Sequence, residues 1–195
     1  MERWTRGERV LLAAAVAVAI GAGVFAWTNF TRAFPEANLQ FAVNRASSQP
    51  VAEAFVRQHA AAAAPLLAGR RHAAIFRFSA DAKVYLEREL GLARLSEMIT
   101  SRQVRLWSWS HRYFKPLEKE ELRVQVSPEG EVIGFAHLVP EEAPGATLEE
   151  AAARAVAEGL LARGFGADPA ALTFIESRRE DRKQRRDWTF TWERA

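Results

Sequence analysis

The sequence predicts an α+β protein carried behind a single N-terminal transmembrane helix. Two helix-plus-antiparallel-sheet units follow that helix, and the second is expected to be incomplete. Three observations lead there. Residues 10–27 form an uncharged apolar run. Beyond them, stretches of period-2 alternation such as "ELRVQV" and "DWTFTWE" are interspersed with Ala- and Leu-rich stretches of helical period. A helix followed by strands starts near Val51 and again near Thr147, the pattern of helices packed on antiparallel sheet.

The apolar run comes first. About eighteen residues at 1.5 Å each span roughly 27 Å, close to the hydrocarbon core of a bilayer. Gly21 and Gly23 are tolerated in such helices, and Trp27 and Trp4 suit its two interfaces. A cleaved signal peptide would have a shorter apolar core and a small-x-small site, and no clean site precedes Trp27. Arg3, Arg6 and Arg9 precede the run, and Arg32 follows it. The positive-inside rule then keeps the N-terminus in the cytoplasm and exports what lies after about residue 30. The expected address is a cytoplasmic (inner) membrane, with the bilayer as a partner. The expected organisation is tail and anchor over 1–34, a juxtamembrane linker over 35–50, a first α+β unit over 51–142 and a second over 143–195.

In the linker, Pro35 and Pro50 interrupt the chain, and "NRASSQP" reads as a turn with Ser48 as an N-cap. A helix over 51–67 follows, with Val51, Ala54, Phe55, Gln58 and Ala62 along one face, closed by Pro65 and Gly69. "HAAIFRFS" reads as a strand with Ala74, Phe76 and Phe78 on one face. Next comes a helix over 79–101, capped by Ser79 or Asp81, with a stripe of Val84, Tyr85, Leu86 and Leu90 before Gly91 and Leu92, Leu95 and Ile99 after it. "QVRLWSWSHRYFKP" puts Trp107, Trp109, His111 and Tyr113 on alternate positions of a strand. "ELRVQVSPEGEVIGFAHLVP" is a hairpin, with Pro128 presetting the turn and Gly130 able to take positive φ. Thr147 and Glu150 spell a capping box for a helix whose inner face is Leu148, Ala151, Ala152, Val156, Leu160 and Leu161, ending at Gly164. "LTFIESRRE" and "DWTFTWERA" are the last strands, joined by a basic linker. The second unit has fewer strands than the first, and the chain is expected to be the front part of a longer protein.

Composition limits the chemistry. Hydrophobic content of 49% and charge of 26% suit a folded chain. The chain has no cysteine, which excludes disulfides, thiolate metal sites and cysteine nucleophiles. A net charge of +3 is too small to argue for nucleic acid, and none is expected as a partner. His59, His72, His111 and His137 lack metal-ligand spacing, and neither a phosphate loop nor a G-x-S-x-G elbow occurs. No catalytic, cofactor or metal residue is therefore assigned. Two binding sets are expected instead. Trp107, Trp109, Tyr113, Trp188 and Trp192 form a candidate peptide-docking surface, with sheet core as the competing and favoured role. Arg178, Arg179, Arg182, Lys183, Arg185 and Arg186 are candidate lipid-headgroup contacts, with a solvated loop as the default.

The stretch "VRLWSWSHRYFKPLEKEELRVQVSPEGEVIGFAHLVPEEAPGATL", with "YLERELG" before it and "RRDWTFTWER" after it, resembles the N-terminal extracytoplasmic region of bacterial CPBP-family intramembrane metalloproteases. The helix and strand arrangement also looks like PepSY-type modules. The resemblance covers roughly residues 45–194 and the preceding anchor. It implies a non-catalytic accessory module that binds a polypeptide substrate or restrains a catalytic membrane domain. That domain, which would hold zinc or another divalent metal, is absent from these residues, so none of its catalytic positions carries over. A complete single-pass envelope sensor or peptide-binding protein is the alternative.

Overall fold

The computed structural model describes residues 5–194, with Arg32 described by its backbone alone. Arg3 and Trp4 lie outside the described residues. The element order is the expected one, α+β with an N-terminal apolar helix and antiparallel sheets. The chain divides into two compact units, Met1–Gln40 with Ser79–Leu106, and Phe41–Phe78 with Trp107–Ala195. The first is the helical unit and the second the sheet unit.

The helical unit opens with α1 (Arg6–Ala33). A capping box starts it: the Thr5 hydroxyl accepts from the Glu8 backbone N–H, and the Glu8 carboxylate accepts from the Thr5 N–H at 2.7 Å. Over Arg6–Thr31 this helix is long and apolar enough to cross a membrane, and its apolar window is wholly unburied. It is compatible with a membrane anchor. A 3-10 turn at Pro35–Asn38 follows directly, and α3 (Ala80–Thr100) belongs to the same unit. The sequence places α3 inside a unit spanning 51–142, whereas the fold groups it with α1. Gly91 divides α3 into arms at residues 80–90 and 92–100, since φ 76° and ψ 162° are not helical and only glycine adopts such a pair without strain. Leu95 and Ile99 are buried, but Val84, Tyr85, Leu90 and Leu92 are exposed. The stripe expected as a packing face is thus largely open to its surroundings.

The sheet unit has a four-stranded antiparallel sheet in sequence order: β1 (Arg71–Phe78), β2 (Trp107–Phe114), β3 (Glu121–Val126) and β4 (Val132–Leu138). The Gly130 N–H donates to the Ser127 carbonyl, and Gly130 sits at φ 93°, as the hairpin turn demands. The inner face of the sheet is covered by α2 (Ser48–His59). Ala52 and Val56 from α2 join Tyr113, Leu122, Val124 and Val126 in one core, with Ala63 closing it. Each fully buried Val or Leu side chain here contributes about 1.5–3 kcal/mol.

Three local corrections concern α2. It begins at Ser48, so Ser48 lies in its buried first turn and Ser47 takes the cap position. Its buried residues are Ser48, Ala52, Phe55 and Val56, which turns the inner face away from Ala54 and Gln58. The helix also stops at His59, and Ala61–Leu67 continues as 3-10. Pro65 explains this, because its ring disfavours α geometry in the residue before it and cannot close an α-helical hydrogen bond.

The last elements are α4 (Glu150–Phe165), β5 (Thr173–Asp181) and β6 (Arg186–Glu193), the two strands forming a separate antiparallel pair. The Thr147 capping box is not formed: Glu149 is the N-cap residue and makes no side-chain cap. The cause is that residues 145–148 are already committed. The Ala146 carbonyl accepts from Arg186 N–H, and the Leu148 carbonyl accepts from Trp188 Nε1 at 3.0 Å. The helix runs past Gly164 to a left-handed cap at Gly166. No α4 side chain is fully buried; Ala153, Ala157 and Leu160 are half-buried, while Val156 is 63% exposed.

Candidate functional site

Alternation along β6 puts Trp188, Phe190 and Trp192 on one face, all half-buried. Trp188 and Phe190 stack with centroids 5.8 Å apart and planes 9° apart, and Trp192 meets the edge of Phe174 on β5. Above them α4 offers Ala153, Val156 and Leu160, and the end of β4 supplies His137 and Val139. The result is a groove of about 550 Å³ with an aromatic floor and an aliphatic helix wall. Its charged end holds Arg185, Arg186 and Asp187. Such a groove suits an extended chain with apolar side chains.

The expected docking aromatics therefore separate into two sets on two sheets. Trp107 and Tyr113 are buried in the four-stranded sheet. Trp109 is half-buried, with its Nε1 donating to the Val43 carbonyl at 3.2 Å and its ring 4.9 Å from Phe76. Of the five, Trp188 lines the groove. Trp192 stands beside it on the same strand face, with a buried Nε1 lacking a partner among the described residues.

The basic run is not a solvated loop. Most of it is strand, and its turn reaches back onto the connector before α4. Arg182 binds Glu141, Glu180 and Asp187; Arg185 binds Asp187 and the carbonyls of Pro140, Glu141 and Ala143. Arg186 binds Asp181 and Glu149. The Arg185 guanidinium, with Arg182, holds the Asp187 carboxyl below its ordinary range against a weaker upward push from burial. Arg178 and Arg179 stay exposed, and Lys183 makes only a loose pair with Glu142. Sequence reasoning found the run but not its partners, because Glu141 and Pro140 lie more than forty residues away.

A second cluster was not foreseen. His111, fully buried, sits between Ser48 and His72: His111 Nε2 is 3.0 Å from Ser48 Oγ, and His111 Nδ1 is 3.0 Å from His72 Nε2. The Ser48 hydroxyl donates to the Arg45 carbonyl at 3.3 Å. Ser48 Oγ therefore accepts from His111 Nε2–H, which leaves Nδ1 to accept from His72 Nε2–H. Both rings are neutral in this chain of donors. Burial, and then the charge His72 would carry, push His111 down to about 4. Burial also lowers His72, with the nearby Glu53 opposing. Burial raises the Tyr113 hydroxyl, which has no hydrogen-bond partner among the described residues. Ser48 has no exposed surface, so this Ser-His contact presents no nucleophile. The sequence carried half of the signal, since His111 shares the aromatic face of β2; its partners lie 39 and 63 residues away.

Among the described residues, no group of three or more His, Asp or Glu is placed to hold a metal ion. No family model, curated protein or solved structure matches the chain.

Proposed function

We propose that the chain is a membrane-anchored, extracytoplasmic, non-catalytic module that holds an extended polypeptide segment in the groove between α4 and β6. On this reading it is the accessory part of an intramembrane metalloprotease of the CPBP kind, with α2 on the four-stranded sheet and α4 beside β5 and β6 as its two PepSY-like helix-and-sheet pairings. The cytoplasmic membrane holds it with its N-terminus inside. The groove is the observation that carries the proposal: a concave, largely apolar surface on a chain whose first helix is long enough to cross a bilayer. The resemblance of residues 45–194 supplies the protease context. Arg178, exposed on β5, remains available to anionic headgroups in a way that Arg179, paired with Asp181 at 3.2 Å, and Arg182, Arg185 and Arg186 are not.

The test uses the full chain in nanodiscs and a fluorescein-labelled, permanently unfolded polypeptide. Anisotropy should report saturable binding, and Val156→Asp should weaken it about tenfold, the effect of one buried-contact residue at an interface. Val156 is exposed, so the change leaves packing intact. Absence of saturable binding, or equal affinity in the variant, contradicts the groove as the binding surface.

A further inference from the structure

We infer that α3 is a second membrane contact, lying in the lipid headgroup layer beside the outer end of α1. This rests on α1 being the bilayer anchor. The sequence pattern marks α3 as a helix with a packing stripe, yet Tyr85 is 63% exposed and Leu92 44% exposed, with Val84 and Leu90 similarly open. Four exposed apolar side chains on one helix need a partner, and the helical unit itself indicates which one.

Both arms of α3 are tied to the segment that leaves the span. The stretch of α1 able to span a membrane ends at Thr31, two residues before the helix itself ends at Ala33. The Asn38 side-chain amide donates both to the Thr31 carbonyl at 3.3 Å and to Ser96 Oγ at 2.9 Å, so Ser96 on the second arm lies at the level where α1 exits. On the first arm, Lys83 Nζ pairs with Glu36 at 3.3 Å. Leu92 lies four residues from Ser96, about 6 Å along a helix. A headgroup layer is about 5–8 Å thick on each side of the hydrocarbon. Leu92, and Leu90 across the Gly91 bend, are thus within one layer thickness of the point where the span ends. Val84 and Tyr85 follow Lys83 directly, and Arg88 shares their outward side.

The residue types fit that depth. Tyr is enriched at membrane interfaces, Leu reaches into the acyl boundary, and Arg keeps its guanidinium at the headgroups while its stem covers apolar surface. Trp27 and Phe30 form the matching aromatic end of α1 and are exposed as a lipid-facing belt would be. The exposed apolar side chains of α3 thus belong to the same compact unit as the exposed aromatic end of the anchor.

The chain has no cysteine, so single cysteines report cleanly. Leu92→Cys, Tyr85→Cys, Phe25→Cys and Glu142→Cys, each carrying an environment-sensitive fluorophore, are placed as full chains in nanodiscs of mixed phosphatidylcholine and phosphatidylglycerol. Spin-labelled lipids and iodide serve as quenchers. At position 92, headgroup-level spin label should remove about half of the emission, as expected for a face sunk about 5–10 Å into the interface. Position 85 should follow it, and position 142 should respond to iodide alone. The position 92 result decides. Quenching there by iodide alone overturns the inference while the anchor stands, provided position 25 is quenched by acyl-chain label. Protection at 92 from both quenchers also overturns it, because a protein surface then covers α3. Failure of position 25 to meet acyl-chain label removes the anchor itself, and the inference with it.

Discussion

Acidification from pH 7 to pH 4 should cost the sheet unit about 3 kcal/mol of stability through one residue, His111. The folded structure holds this ring neutral, because Nδ1 already accepts from His72 and Nε2 already donates to Ser48. A proton on Nδ1 would face another N–H in a buried site. The folded value is about 4, against about 6.5 for a free histidine. Between those values the unfolded chain binds the proton and the folded chain does not. Stability is therefore complete above about pH 6.5 and is lost as pH falls towards 4. His72, lowered in the same sense, adds to the loss. Glu53 opposes it at both rings, and Arg45 supports the lowering of His72. The lowered carboxylates Glu53, Glu121 and Asp187 add their own losses only at the acid end of this window and below it, since their unfolded values lie near 4. Urea unfolding of the full chain in detergent, followed by tryptophan emission, should show the midpoint falling through this range. His111→Gln, which cannot be protonated, should flatten the dependence, and an unchanged slope in that variant would contradict the assignment.

Truncation of Phe55 should cost about 3–5 kcal/mol, the range for a buried Phe→Ala change. Its ring meets His59 on its own helix, Phe135 on β4 and Phe165 at the end of α4, with centroids 4.9–5.6 Å apart. It also lies against Gly164, where an added Cβ would come within 3.3 Å of the ring. Phe55→Ala removes the side chain shared by α2, β4 and α4. Since α4 has no fully buried residue of its own, its attachment depends on such contacts. The variant should lose its near-ultraviolet circular dichroism at lower temperature than the parent and expose α4 to protease first. Phe55→Leu should restore most of the stability. Equal melting of Phe55→Ala and the parent would mean that α4 is held by other means.

The element order was legible because each strand carried period-2 alternation and each turn its own chemistry. Trp107, Trp109, His111 and Tyr113 shared a face in the sequence, and they share it in β2. What the sequence did not display were choices made by distant groups. The backbone around Thr147 satisfies β6 before it can start a helix, so local capping rules lost to a tertiary hydrogen bond. The arginines of the basic run found carboxylates and carbonyls in the connector at 140–149. The association of α3 with α1 includes bridges from Asn38 and Glu36, two polar residues in a segment that reads only as linker. The groove was partly visible, since Trp188 was singled out and Leu148, Val156 and Leu160 were expected on the inner face, but Ala153 and Ala157 were not. The sequence favoured a wider α4 face than the small residues Ala153 and Ala157 provide.

Topology tests the account most directly. Glu142 is 77% exposed in the connector before α4. A Glu142→Cys full chain, expressed in bacteria and converted to spheroplasts, should react with a membrane-impermeant maleimide while the cells are intact, and the labelled chain should sediment with membranes after alkaline carbonate. Labelling that requires lysis would place the sheet unit in the cytoplasm and contradict the extracytoplasmic module.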